Sequence, residues 1–325
     1  MSSTDTRNIS AEVLRDSIKG SFVAVMGIGR KGIAAARLVA RFGGIPFLSD
    51  KADVSTLEPY LTEVKRHDWK WEAGGHSERV LESNLIVRCS AVPASLPLLG
   101  EAKVPVLDEL DFASAFVEVP LVAVTGTNGK TLTIAAFSDI AREAGYKVIK
   151  VGGTAPFLSE VLTDDKIELD GQTIVVAEVS AVQLDSEIRI LKPDISCITQ
   201  VAPDHEDRFQ SFEDYANAKA GLFRNQESDD LFVANYDCPI CRSIAEGANA
   251  RKLWVSLNDV ISNGIIVKDE AMYSCDKGAL HLLLPLAELS VPTHHLGAML
   301  LAAGIAAGYI GRRDRKVPER IFRRR

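Results

Sequence analysis

Long apolar runs are missing from this chain. No window of its 325 residues reaches the ~18 unbroken apolar residues that a membrane-spanning helix needs. The opening stretch, MSSTDTRNISAEVLRDS, is polar and has no apolar core, which excludes a secretory leader. A cytoplasmic protein with no membrane partner is therefore expected. Cysteine is scarce as well. The five present (Cys89, Cys197, Cys238, Cys241 and Cys275) are too few and too scattered for a disulfide framework. Cys238 and Cys241 form a C-x-x-C, but no second pair or His couple completes a zinc site, so ordinary thiols are expected. Positive charge is in deficit: 37 Lys and Arg against 44 Asp and Glu leave a net charge of −7. Residues 312–325 hold eight of those bases against two carboxylates, so the rest of the chain stands at −13. An acidic body, with a tail whose sole aromatic is Phe322, excludes a nucleic-acid partner, and the tail reads as a solvated helix end. Internal repeats and low-complexity tracts are also lacking.

What is present is ordinary globular composition, 46% apolar and 25% charged, over a length that suits two domains. Residues 22–26 form a short apolar run. It leads into Gly27-Ile28-Gly29-Arg30-Lys31-Gly32 and a helical stretch that Gly43 and Gly44 stop. Residues 45–48 read as the next strand and end at Ser49-Asp50. This is a βαβ unit and implies a parallel sheet, with further strands predicted at 85–87 and 104–107. A second unit opens with the apolar run 121–124, the loop Thr125-Gly-Thr-Asn-Gly-Lys-Thr131 and a helix over 132–144, with Gly145 as its stop. Strands are predicted at 147–151, 173–178, 194–199, 231–234 and 252–255. Short antiparallel ones follow at 264–267, 271–274 and 280–284, then a small-residue helix over 298–307. The expected class is α/β. A Rossmann-like domain (1–117) precedes a P-loop ATPase domain with a mainly parallel sheet (118–311) and a basic tail (312–325).

The two glycine loops differ in what they specify. G-x-G-x-x-G after a strand lets backbone N–H groups approach phosphate at a helix N-terminus, and an acid at the end of the second strand, here Asp50, can read a ribose hydroxyl. A dinucleotide site, a nucleotide-sugar site and a structural turn all remain open for Gly27, Gly29, Gly32 and Asp50. The second loop is more specific. Gly126, Thr127, Asn128 and Gly129 supply a nest of backbone donors. Lys130 supplies an ammonium for β/γ-phosphates, and Thr131 a hydroxyl for Mg²⁺. The position of the first glycine in the longer phosphate-loop pattern is occupied by Val124, so the match is to the shorter T-G-T-N-G-K-T form.

Three more polar groups sit at strand ends or just beyond. Glu178 closes an apolar strand, where a carboxylate can hold Mg²⁺ opposite Thr131. His205, in Asp204-His205-Glu206-Asp207-Arg208, could ligate a second metal. Lys219 ends Tyr215-Ala-Asn-Ala-Lys219; pattern alone reads it as an exposed helix lysine.

The order of T-G-T-N-G-K-T (125–131), E-V-S-A-V-Q-L (178–184), D-H-E-D-R (204–208), Y-A-N-A-K (215–219) and A-N-Y-D (234–237) resembles that of the Mur ligases. With the N-terminal unit ending at Asp50 and a G-G-H at 74–76, the chain is most similar to the MurD type, which joins D-glutamate to UDP-N-acetylmuramoyl-L-alanine. The resemblance spans roughly residues 22–307. It implies ATP and Mg²⁺ as cofactors, with Lys130 on the β/γ-phosphates, Thr131 and Glu178 at a first Mg²⁺, and His205 at a second. Lys219 would be the lysine that the family carbamylates to bridge its metals. Gly27–Gly32 and Asp50 would lie near the UDP end of the substrate, and His294 near ATP. The implied reaction phosphorylates a carboxylate and lets an amine attack the acyl phosphate. Some positions depart from the family. Thr154 stands where an Asn is usual, Ser90-Ala91-Val92 replaces Ser-Pro-Gly, and His294-His295-Leu296-Gly297-Ala298 lacks both asparagines of its motif. Family members also carry a third domain, and only eighteen residues follow Ala307, so a separate chain supplying it is one expectation. A non-catalytic nucleotide or UDP-sugar binder and another ligase of the superfamily are the alternatives; a nicotinamide dehydrogenase would leave the second loop unexplained.

Overall fold

A computed structural model describes residues 9–185, 188–288 and 296–313. The chain divides into two compact units. Unit one runs up to Glu118 and also takes in Ala155–Glu168 and Val182–Leu191; unit two is built from Val119–Thr154, Leu169–Ala181 and the chain from Lys192 onward.

Unit one holds a five-stranded sheet in the order β3-β2-β1-β4-β5, formed by β1 (Phe22–Met26), β2 (Ile45–Ser49), β3 (Lys70–Glu72), β4 (Leu85–Arg88) and β5 (Val106–Asp108). All four pairings are parallel. The apolar runs of β1 and β4 are buried nearly end to end, as strands covered on both faces must be. Strand order reverses at β1, which opens the ligand crevice of such sheets at the carboxyl ends of β1 and β4. The helix Arg30–Arg41 follows β1 directly, and Gly43 in the left-handed region (φ 81°) ends it, as the sequence predicts. β3 is an addition to the predicted strands.

Unit two holds nine strands in the order β14-β13-β12-β11-β10-β9-β6-β8-β7. These are β6 (Leu121–Thr125), β7 (Lys147–Gly152), β8 (Thr173–Glu178), β9 (Ile195–Ile198), β10 (Leu231–Asn235), β11 (Arg251–Ser256), β12 (Gly264–Lys268), β13 (Ala271–Asp276) and β14 (Ala279–Pro285). From β7 to β12 every pairing is parallel; β13 and β14 are antiparallel. The stretch at 264–267 pairs antiparallel with β13, as expected, and its other edge adds a parallel pairing with β11, because the chain crosses back over residues 257–263 before it enters β12. β6 is fully buried and sits at the reversal of strand order, so the loop that follows it lies at the sheet's switch point. The helices Lys130–Glu143 and Leu296–Arg313 cover this sheet. Gly304 lies in mid-helix: a Cβ there would stand 3.0 Å from side chains of both Leu253 and Val233, so its absence lets that helix sit close against β10 and β11. No described helix is long and apolar enough to cross a membrane.

Candidate active site

The loop between β6 and the helix Lys130–Glu143 is fixed by β9 and the residues just after it. Gly126 has φ 146° and Gly129, the helix N-cap, has φ 87°, both in regions that favour glycine. A Cβ on Gly126 would lie 1.9 Å from Thr199 Oγ1. Thr199 Oγ1 in turn donates to the Asn128 carbonyl at 2.5 Å, and Thr127 N donates to Gln200 O at 2.7 Å. Lys130 Nζ reaches back over the loop to Gly126 O (2.8 Å) and Thr127 O (3.1 Å). The result is a concave backbone turn with an ammonium across its mouth.

Two groups of side chains flank the loop. On one side Thr131 Oγ1 donates to Glu178 Oε2 at 2.9 Å. Glu178 ends β8, and its carboxylate lies over Gly153, where a Cβ would fall 2.8 Å from the carboxyl carbon. On the other side Tyr215 is the hub. Its hydroxyl hydrogen-bonds Thr127 Oγ1 (2.9 Å), its ring lies 4.1 Å beneath Lys219 Nζ, and the His205 ring is 5.9 Å away. His205 adopts φ 55° and its Nε2 stands 3.8 Å from Asp204 Oδ2. The exposed lysine that pattern suggested at 219 is instead 1% exposed. Burial, helped by the nearby Lys130 charge, lowers its pKa to about 7. Among the described residues no three His, Cys, Asp or Glu side chains converge. Mg²⁺ needs no such cage, since it keeps waters and phosphate oxygens and takes one or two protein ligands. Thr131 and Glu178, hydrogen-bonded to each other beside the loop, are two oxygen donors that such an ion could take.

A cleft of about 1080 Å³ extends from this loop, room for a nucleoside triphosphate. Its far walls include Asn235, Cys238, Leu257 and Asn258. Asp237 fixes that end by accepting from Ser256 Oγ (2.6 Å) and Leu257 N (2.7 Å). His294 lies outside the described residues.

In unit one, Asp50 and the first glycine loop do come together. Ile28 N donates to Asp50 Oδ2 (2.6 Å) and Ala52 N to Oδ1 (2.8 Å), so the carboxylate braces the loop. Gly27 has φ 111°, and a Cβ on Gly32 would fall 1.8 Å from Gly27 O, which makes the third glycine a packing requirement. Gly29 caps the helix Arg30–Arg41 and meets no such constraint. His76 adds to this end through Ser49 Oγ (2.7 Å), and burial lowers its pKa. Pattern reading gave Thr199 no role; the usable signal was its place just after β9.

Comparison with known proteins places this geometry. The Mur ligase middle domain profile matches residues 124–307. The UDP-N-acetylmuramoylalanine–D-glutamate ligase of Thermoanaerobacter sp. (strain X514) is 32% identical over 295 residues, covering 89% of this chain and 64% of the relative. That of Koribacter versatilis is 31% identical over 309 residues, covering 92% and 66%. The chain thus spans about two thirds of the length of these relatives, or slightly less. Among solved structures, the UDP-N-acetylmuramate:L-alanyl-gamma-D-glutamyl-meso-diaminopimelate ligase from Neisseria meningitides superposes with a TM-score of 0.54 at 15% identity, over 93% of this chain and 97% of that one. A murein peptide ligase from Psychrobacter arcticus gives 0.51 at 15% identity, over 93% and 68%. On the profile match, which covers more than half its length, the chain belongs to the Mur ligase family.

Proposed function

We propose that the chain acts in peptidoglycan precursor synthesis as an ATP-dependent ligase, adding D-glutamate to UDP-N-acetylmuramoyl-L-alanine through an acyl phosphate. The single observation that carries the reading is the phosphate loop, with Lys130 across its mouth and the Thr131 hydroxyl beside the Glu178 carboxylate. The curated relatives bear this ligase name. Unit two, the larger part of residues 118–311, would form the ATP-binding domain, and unit one, residues 1–117 together with Ala155–Glu168 and Val182–Leu191, the UDP-sugar domain. In the first domain Gly27, Gly29, Gly32 and Asp50 face the nucleotide end of the substrate.

Bound Mg²⁺ would offset negative charge on the triphosphate and the approaching carboxylate. The chain's own residues divide the remaining work. Gly126–Gly129 present backbone donors to the phosphates, and Lys130 exchanges its two carbonyl partners for β/γ-phosphate oxygens. Thr131 and Glu178 would hold one Mg²⁺. His205 and Lys219, gathered on Tyr215, would hold the second, Lys219 through a carbamate on its amine. A pKa near 7 leaves much of the Lys219 amine neutral at physiological pH, the form that adds CO₂. The cytoplasm, where ATP is available, is the compartment this activity requires.

Calorimetry tests the reading. The chain should bind Mg·ATP and UDP-N-acetylmuramoyl-L-alanine, and Lys130→Ala should abolish the first while sparing the second. Absence of Mg·ATP binding at millimolar nucleotide would refute it.

A further inference from the structure

Two cysteines that the mechanism does not use stand at the wall of the cleft. Cys238 ends the turn after β10 and lines the cleft together with Pro239 and Ile240. It is 8% exposed, whereas Cys241 is fully buried behind it. Cys238 caps the helix Pro239–Ala245, and Arg242 N donates to Cys238 O at 3.1 Å, which stacks residue 241 one turn above residue 238. Cys238 Sγ donates to Val201 O at 3.7 Å. Val201 follows Gln200, the residue whose carbonyl closes the phosphate loop. Asp237, the immediate neighbour of Cys238, holds the Leu257 wall. The pair is therefore tied to both ends of the cleft.

We propose that Cys238 and Cys241 form a redox-active dithiol, oxidised to a disulfide by hydroperoxides, and that the disulfide weakens nucleotide binding in the adjoining cleft. The second half rests on the reading of that cleft as the ATP site. The Cys238 thiolate attacks the peroxide O–O bond. An S–O bond forms, the O–O bond breaks, and the alcohol (water, for hydrogen peroxide) leaves with the proton that the thiol gave up. Cys241 then attacks the Cys238 sulfur: the S–S bond forms, the S–O bond breaks, and hydroxide leaves as water with the Cys241 proton. In sum, two thiols lose two electrons and two protons, and the peroxide becomes alcohol and water.

The environment sorts the cysteines in the required way. Within the pair, the Cys241 side chain lowers the pKa of Cys238, the member that lines the cleft, and that of the buried Cys241 is raised, while burial pushes Cys89 and Cys197 up. Closing the bond also moves the Cys238 side chain. Cys238 sits at the extended N-cap position and Cys241 in the first turn, so the bond draws the Cys238 sulfur inward, off the cleft wall. The pull falls on Cys238, and through its neighbours on the Val201 and Asp237 contacts that shape the cleft.

The test uses the full chain, reduced and then treated with hydrogen peroxide. Peptide mass mapping should find a 238–241 peptide lighter by two hydrogens. Cys241→Ser should trap a dimedone-reactive sulfenic acid on Cys238, and Cys238→Ser should yield neither product. In the reduced chain at neutral pH, iodoacetamide should label Cys238 at least about tenfold faster than Cys89 or Cys197. Oxidation should weaken Mg·ATP binding about tenfold or more, dithiothreitol should restore it, and the double serine variant should show no change on peroxide treatment. Cys238 remaining a thiol, or pairing with Cys197, overturns the dithiol. A 238–241 disulfide with unchanged ATP affinity overturns the coupling. No Mg·ATP binding in either state overturns the nucleotide reading and the coupling with it, while peptide mapping still decides the dithiol.

Discussion

Replacing Gly126 by Ala tests how the phosphate loop is held. The new Cβ would sit 1.9 Å from Thr199 Oγ1 and 3.1 Å from both Gln200 N and Gln200 O. A carbon–oxygen contact needs roughly 3.2 Å, so the hydroxyl must retreat by more than an ångström. Retreat breaks the 2.5 Å hydrogen bond to Asn128 O. Losing it and stranding the carbonyl costs about 1–3 kcal/mol. Holding Ala at φ 146° adds about 1–3 kcal/mol. The variant should therefore be destabilised by about 3–5 kcal/mol in urea unfolding and should lose Mg·ATP affinity. In a Thr199→Ala background the clashing hydroxyl and its hydrogen bond are already gone, so only the backbone cost remains. The double-mutant cycle should show a coupling of about 2 kcal/mol. Equal cost of Gly126→Ala in both backgrounds would refute the argument that Thr199 braces the loop.

Other perturbations follow from the same contacts. With a pKa near 7, the neutral fraction of Lys219 rises from about one tenth at pH 6 to about nine tenths at pH 8. A carbamate signal from ¹³C-bicarbonate should rise over that window and vanish in Lys219→Met; a pH-independent signal would count against the assignment. Asp111, whose pKa burial raises to about 6, accepts from Arg189, Ile190 and Leu191 N–H groups at 3.0, 2.9 and 2.6 Å. An unfolded Asp titrates near 3.9, so the folded state binds the extra proton between about pH 4 and 6, and this group's contribution falls as pH rises through that window. Asp111→Asn should remove that slope from a plot of melting temperature against pH, and should destabilise the fold at neutral pH by about 1–3 kcal/mol, because one acceptor becomes a donor. Gly32→Ala sets a Cβ 1.8 Å from the Gly27 carbonyl, a backbone atom, and should cost about 3 kcal/mol or more in denaturant unfolding. Gly29→Ala meets nothing within 4 Å and should cost less than about 1 kcal/mol.

Features that depend on neighbouring residues were legible in the sequence; features that depend on distant partners were not. The apolar run 22–26 is a strand with those limits, and the phosphate loop could be read because one seven-residue stretch contains all its chemistry. By contrast, Lys70–Glu72 has no strand pattern and becomes β3 only by pairing with β2. Lys219 reads as an exposed helix lysine until Tyr215 and the loop bury it. The acidic run Asp108-Glu109-Leu110-Asp111 looks like surface, yet all three carboxylates are buried. Their partners lie elsewhere in the chain: Ser90 for Asp108, Ser159 for Glu109, and backbone N–H groups of 189–191 for Asp111. A carboxylate with distant partners gives no local signal of its burial.

Those last two partnerships bear on the order in which the protein is made. Chains leave the ribosome N-terminus first. Glu109 and Asp111 emerge early, yet the groups that satisfy them are Ser159 and the N–H groups of residues 189–191. Until residue 191 has been synthesised, unit one holds two acids without the hydrogen-bond donors that permit their burial. By then β6, β7 and β8 of the other unit have already been synthesised. The nascent chain therefore cannot finish one unit and then start the next; the first stays open while the central strands of the second are being laid down.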